Sequence, residues 1–164
     1  VDTSFREMMA AFPSGVSVVT GHDGGPRPYG MTCSALCSLS ADPPSLLVCL
    51  RAASPTLAAV TRSGAFAVNL LHGDAQDVAA LFGSGAADRF DRVAWRPCAG
   101  SGSPALVEAA HTVADCLVER VHPAGDHAIV VGTVRHIERL REGSALLYGF
   151  RRYRTWTHAA APIG

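Results

Sequence analysis

The sequence predicts a mainly β domain: six or seven antiparallel strands forming a barrel or a sandwich, with short helices at its periphery. Three observations lead there. Short apolar runs recur at hairpin spacing, the helical stretches between them span only two or three turns, and the strand–helix–strand rhythm of a parallel sheet is missing. With 164 residues, 48% of them hydrophobic, residues 1–164 suit a single domain with a substantial core.

The elements follow in order. Ser4 and Glu7 form a capping box ahead of Phe5, Met8, Met9 and Phe12 at i, i+3, i+4 and i+7, which predicts a short amphipathic helix ending near Pro13 with its Met/Phe stripe on the core. "GVSVVTG" (15–21) alternates as a strand, "HDGGPRP" turns, and "PYGMTCSALCSLSADPP" (28–44) runs back beside it. "SLLVCL" (45–50) is the next strand. Ser54 as N-cap, Pro55 as first helical residue and Gly64 just past the end then bracket a two-turn helix. "AFAVNLL" (65–71) is a strand, and Asp74 is expected to cap a helix stopped by Gly83. Residues 83–104 read as a long loop containing Phe90 and Trp95, of the length that is usually functional. "TVADCLVERV" (112–121) and "AIVVGTVRHIERL" (128–140) form a hairpin about "HPAGDH", and "ALLYGF" (145–150) leads into a tail "RRYRTWT".

Composition excludes several classes of function. Fourteen basic and fourteen acidic residues balance, so no excess positive field draws the chain to nucleic acid or to an anionic membrane. No apolar run reaches the roughly 18–20 residues of a membrane helix, and "VDTSFREMM" lacks the pattern of a secretory signal, so the expectation is a cytoplasmic protein. All the basic residues are Arg, which removes mechanisms that need a Lys of this chain. Cys33, Cys37, Cys49, Cys98 and Cys116 contain no C-x-x-C pair, and none of the seven His belongs to H-E-x-x-H, so free buried thiols and no metal are expected. The match Gly100 to Ala105 to a dinucleotide fingerprint has no strand before it and no helix after it, and reads as loop.

The stretch from residue 28 to 44 is extended yet built mainly from Thr, Cys, Ser and Ala. Its period of two places Met31, Cys33, Ala35, Cys37 and Leu39 on a packing face and Thr32, Ser34, Leu36, Ser38 and Ser40 on the other. The second set is either a solvated sheet face or a surface with room for a flat, polar-edged ligand. Ser54 and Thr56 at a helix start, with Arg51 ahead, either cap that helix or bind an anion. His127 is either a turn residue or a titratable donor facing a pocket, and Tyr153 poses the same choice. Asn69, the single Asn of the chain, lies in an apolar strand and calls for a buried partner.

Taken in order, "FREMMAAFPSGVSVVTG", "YGMTCSALCSLSADPPSLLVCL", "SPT", "FAVNLL", "DRF" with "VAW", "GSPAL", "GDHAIVVGTV" and "RRYRTW" resemble the flavin reductase family from Phe5 to about Trp156. The resemblance implies a six- to seven-stranded antiparallel split β-barrel that works as a homodimer, binds FAD or FMN, and supplies reduced flavin to a separate flavin-dependent monooxygenase. It implies hydride transfer from nicotinamide C4 to flavin N5, with FAD favoured over FMN and NADH over NADPH. It further implies that Thr32, Ser34 and Ala35 touch the isoalloxazine ring, that Cys49 and Arg51 border it, and that Ser54 and Thr56 hold phosphate. By the same likeness Asn69 supports the ribityl side, while His127 and Tyr153 face the nicotinamide. In one departure, Arg151 stands where family members often carry Gly, and is thereby available to a phosphate. Alternatives are a flavin carrier without enzymatic activity and a pyridoxamine-phosphate-oxidase-like flavoenzyme.

Overall fold

The computed structural model describes residues 3–157. Its elements are α1 (Thr3–Ala10), β1 (Ser14–Gly15), β2 (Ser17–His22), β3 (Pro28–Cys33), β4 (Leu36–Ala41), β5 (Pro44–Arg51), α2 (Pro55–Ser63), β6 (Ala65–Leu71) and α3 (Gln76–Ser84). They continue as β7 (Arg96–Pro97), β8 (Pro104–Ala105), β9 (Ala110–Ala124), β10 (His127–Arg139), β11 (Ser144–Gly149) and β12 (Arg152–Thr157). Seven strands make one antiparallel sheet in the order β3-β2-β6-β9-β10-β5-β4. Its two edge strands, β3 and β4, are joined by only Ser34 and Ala35. Such a short link forces the sheet to curl until its edges nearly meet, which makes it a split β-barrel. A Cys49 N–H to Ala35 C=O hydrogen bond of 3.0 Å ties this corner to β5.

Both faces of the sheet are covered at β2 and β6, so these strands are buried almost throughout, whereas β10 alternates. Val18 and Val19, adjacent on β2 and fully buried, point into different cores. Val19 joins Val48, Leu50, Phe66, Val68 and Val130 inside the barrel, while Val18 packs with Leu71, Phe82, Phe90, Leu106 and Leu146 under α3 and β11. Phe66 sets a limit on its neighbour. A Cβ added to Gly132 would lie 2.5 Å from the Phe66 ring, and burial of that ring contributes about 2–3 kcal/mol.

Several expectations are corrected. The long extended segment is two strands, broken at Ser34–Ala35, so its period of two does not run through. Ala35, Cys37 and Leu39, expected to pack, are exposed, because beyond the corner the chain lies on the outer edge of the sheet. Cys33, Cys98 and Cys116 are buried as expected, with burial raising their thiol pKa values to about 11, 12 and 12, whereas Cys37 is exposed and Cys49 only half-buried at the barrel corner. The Met/Phe stripe of α1 is not core: Phe5, Met8, Met9 and Phe12 are all exposed, and α1 takes in Ser4, the residue expected to cap it. Asp74 does not cap α3. Its N–H instead meets His72 Nδ1 at 3.2 Å, and the helix runs past Gly83 to Gly85, whose φ of 74° closes it.

The tail "RRYRTWT" is itself a strand. β12 pairs with β11 in a three-stranded sheet ordered β1-β11-β12. The tight turn between them puts Phe150 and Arg151 at φ 50° and 58°, a left-handed region that favours glycine. The expected helix from Pro55 to a Gly64 stop is present: Ser54 accepts a hydrogen bond from Leu57 N–H at 3.1 Å, and Gly64 has φ 70°. Among the described residues no helix is long and apolar enough to cross a membrane.

Candidate active site

Because β3 is an edge strand, one flank of its backbone carries N–H and C=O groups that no neighbouring strand takes. Two cavities follow one another along it. The larger, about 410 Å³, is bordered by Gly30, Met31 and Thr32 of β3, by Arg51 and the start of α2 from Ala53 to Thr56, and by Phe82 to Gly85 with Arg89. The smaller, about 130 Å³, is lined by Val16, Thr32, Ser34, Tyr148 and Tyr153. Thr32 belongs to both, so they form one groove.

The larger cavity is built for an anion. At the start of α2, where the helix dipole is positive, Pro55 has no N–H, the Leu57 N–H is taken by Ser54 Oγ and the Ala58 N–H by Ser54 C=O, so the Thr56 N–H is the first-turn amide left for an anion. Thr56 is buried beside them, and Arg51 flanks the helix start at the end of β5. On the opposite side, Arg89 Nη1 donates to Ala86 C=O at 2.6 Å, while its Nε is sealed from solvent without a partner. Burial, and then the nearby charge of Arg27, hold this guanidinium below its usual basicity. A buried N–H left without an acceptor costs about 1–3 kcal/mol, while the rest of this half-buried guanidinium borders the cavity, where a phosphate oxygen can meet it. No carboxylate lines this cavity among the described residues.

The smaller cavity is aromatic. Tyr148 and Tyr153 are direct cross-strand partners, with ring centroids 5.1 Å apart and planes tilted by 56°. Burial, and then Tyr148, raise the Tyr153 phenol above its usual pKa, so it stays protonated and can donate.

The structure therefore gathers Thr32, Ser34, Arg51, Ser54, Thr56 and Tyr153 about one groove. The Thr32 hydroxyl is already committed, donating to Ala79 C=O at 2.6 Å, so Thr32 offers a ligand its backbone and methyl group. Ala35 and Cys49 sit at the barrel corner beside the groove, tied to each other through the backbone. Asn69 stands apart. It is fully buried, its Nδ2 donates to Val18 C=O, Thr20 Oγ1 and Pro104 C=O, and its Oδ1 accepts from Leu106 N–H at 2.7 Å. The expected buried partners are there, and that amide is occupied in stitching β2 and β6 to the segment at 104–106. His127 lies directly across the ladder from Arg51, with its side chain 43% exposed and Nδ1 2.8 Å from Asp126 Oδ1. It lines neither cavity.

Two groove residues escaped the sequence reading. Arg89 sits in "AADRFD", which looks like a solvated charged loop; the signal was its neighbour Phe90, whose ring anchors the loop edge-on against Phe82 at 5.0 Å. Tyr148 becomes visible as a site residue only once the tail is known to return as β12.

A split barrel whose edge-strand groove joins an aromatic cleft to a cationic cradle suits a flat ring that carries a phosphate. Comparison with known proteins narrows this. The family model described as "Flavin reductase like domain" matches residues 9–157. The flavin reductase (NADPH) of Lentzea aerocolonigenes is 45% identical over 152 residues, covering 93% of this chain and 88% of that protein. The crystal structure of a nitrilotriacetate monooxygenase component B homologue from Mycobacterium thermoresistibile matches with a TM-score of 0.86 and 35% identity, covering 93% of this chain and 85% of that one. The Streptomyces globisporus C-1027 NADH:FAD oxidoreductase SgcE6, in complex with NAD and FAD fragments, matches with a TM-score of 0.85 and 32% identity, covering 98% of each chain. The chain belongs to the flavin reductase family and is an oxidoreductase.

Proposed function

We propose that this enzyme reduces FAD with NADH and releases the reduced flavin to a separate flavin-dependent monooxygenase. The observation that carries the reading is the groove itself, in which the Tyr148/Tyr153 cleft and the α2–Arg89 cradle share Thr32. That spacing suits a ring at one end and its phosphate at the other. When bound, the flavin supplies the redox chemistry, its N5 taking the hydride from nicotinamide C4.

The chain supplies binding and alignment. The free backbone edge of β3 near Thr32 and Ser34 faces the polar rim of the ring, where its N–H groups stabilise added negative charge. Ser54, Thr56 with its backbone N–H, Arg51 and Arg89 hold phosphate. Tyr153 closes the ring end against water. His127, oriented by Asp126, is the group assigned to the nicotinamide carboxamide, with Nε2 left to make that contact.

Both NADPH and NADH occur in the names of relatives, and one solved relative is a monooxygenase component, which supports the two-component role. Exposed Met8, Phe12 and Phe150, at 59%, 67% and 71%, supply the apolar surface that a homodimer covers. Free thiols without a disulfide among the described residues suit the reducing cytoplasm. Steady-state kinetics with each pairing of NADH or NADPH and FAD or FMN, together with the mass in solution by light scattering, test the reading. Absence of nicotinamide oxidation with either flavin would leave a flavin carrier instead.

A further inference from the structure

A third cavity continues the line of the first two. It measures about 290 Å³ and is lined chiefly by Trp95 and by Pro26, Pro28, Pro97 and Pro104, together with Arg27 and His22. Pro28 opens β3, Gly30 to Thr32 border the anion cradle, and Ser34 reaches the tyrosine cleft. Residues 28 to 34 thus run past all three cavities, a span of roughly 20 Å at about 3.3 Å per residue. A dinucleotide covers that length when extended; a mononucleotide does not.

Two arginines stand where the second cavity gives way to the third. Arg89 lines the cradle and Arg27 lines the Trp95 cavity, near enough for the charge of Arg27 to act on Arg89. The Arg27 guanidinium lies 5.7 Å from the centroid of the Tyr29 ring. Neither arginine is paired with a carboxylate among the described residues, whose ion pairs use Arg62, Arg96, Arg120 and His127. Neighbouring like charges without a counter-charge repel, and an anion with more than one phosphate bridges them. Beyond them, the cavity walls of proline and tryptophan suit a flat heterocycle. His22 is already fixed there, its Nε2 hydrogen-bonding Ser101 C=O at 2.7 Å and its Nδ1 accepting from Gly24 N–H at 3.1 Å.

We propose that the Trp95 cavity receives the adenine of FAD, that Arg27 and Arg89 take its diphosphate between them, and that Arg27 makes the enzyme discriminate FAD from FMN. This rests on the flavin reductase reading above. FMN ends at its single phosphate in the α2–Arg89 cradle and reaches neither Arg27 nor the Trp95 cavity.

Arg27 is exposed, so its replacement leaves the fold intact. Steady-state kinetics with FAD and with FMN as the varied substrate are compared for the wild type, Arg27→Met and Arg27→Glu. The expected result is a fall of at least tenfold in the FAD-to-FMN ratio of kcat/KM for Arg27→Met, carried by KM, and a larger fall for Arg27→Glu. An unchanged ratio, including an equal loss for both flavins, overturns the proposal. Calorimetric titration with ADP reads the cavity separately: binding by the wild type, weakened at least tenfold in Arg27→Met, supports the assignment, and no binding by the wild type opposes it. A wild type that binds ADP yet reduces neither flavin would refute the reductase reading alone.

Discussion

Replacing Arg89 by Met should weaken flavin binding while leaving the fold as stable as before or more so. In the groove Arg89 is the cation with a buried Nε that has no acceptor, and its other recorded bond is a single donation to Ala86 C=O. Methionine keeps the apolar stem and removes both donors. Loss of the Ala86 bond costs about 1 kcal/mol, and relief of the unsatisfied Nε returns about 1–3 kcal/mol, so net stability changes by between zero and about +2 kcal/mol. A charge-assisted bond to phosphate is worth about 1.5–3 kcal/mol, so the flavin Kd should rise about 10- to 150-fold. Urea unfolding of the free protein measures the first quantity, and flavin fluorescence titration the second. A variant that loses 2 kcal/mol or more of stability and binds flavin unchanged would show that Arg89 is a structural residue and refute the reasoning.

Four further outcomes are expected. His127→Ala should lower turnover with NADH about tenfold or more while changing flavin affinity little, because the residue is assigned to aligning the nicotinamide; equal turnover in stopped-flow would remove it from the mechanism. Asn69→Ala should destabilise the protein by roughly 2–4 kcal/mol, since it orphans the buried Leu106 N–H and removes the bonds to Val18 C=O, Thr20 Oγ1 and Pro104 C=O, while flavin affinity in the folded fraction holds. Arg151→Gly should raise the urea midpoint, corresponding to a gain of up to about 1.5 kcal/mol: the left-handed penalty of about 1–2 kcal/mol disappears and about 0.5–1 kcal/mol of glycine entropy is incurred. Burial, and then His72, hold His111 below its usual pKa of 6.5, so the unfolded chain binds that proton more readily than the folded one. Stability is thus intact above pH 6.5 and lost as pH falls through it toward the folded pKa, and thermal melts of His111→Gln should show a flatter acid limb.

Local patterns carried much of this protein. The two-turn helix from Pro55 to a Gly64 stop needed only its capping residues, and its anion-binding start came with it. The β9–β10 hairpin needed only alternation and the left-handed Gly125. The free thiols at Cys33, Cys98 and Cys116 followed from an apolar setting. Where expectation failed, the deciding partner was distant in sequence. The α1 stripe at Phe5, Met8, Met9 and Phe12 has the spacing of a core face, but periodicity does not say whether the opposing surface belongs to the same chain. Thr32 looked available until α3 presented the Ala79 carbonyl, 47 residues away.

The sequence alone determined the mainly β class, most of the strands and the two-turn helix in their order, and the hydroxyl- and arginine-rich groups from which a phosphate cradle can be made. All of these depend on residues close to one another along the chain. Tertiary structure decided the rest. Curling the sheet between β3 and β4 made an edge strand into the floor of a groove, the return of β12 set Tyr153 against Tyr148, and the 83–104 segment carried Arg89 to the cradle and Trp95 to the cavity beyond it. Those arrangements come from closing long loops and burying both faces of one sheet, and no local pattern encodes which groups that closure brings together.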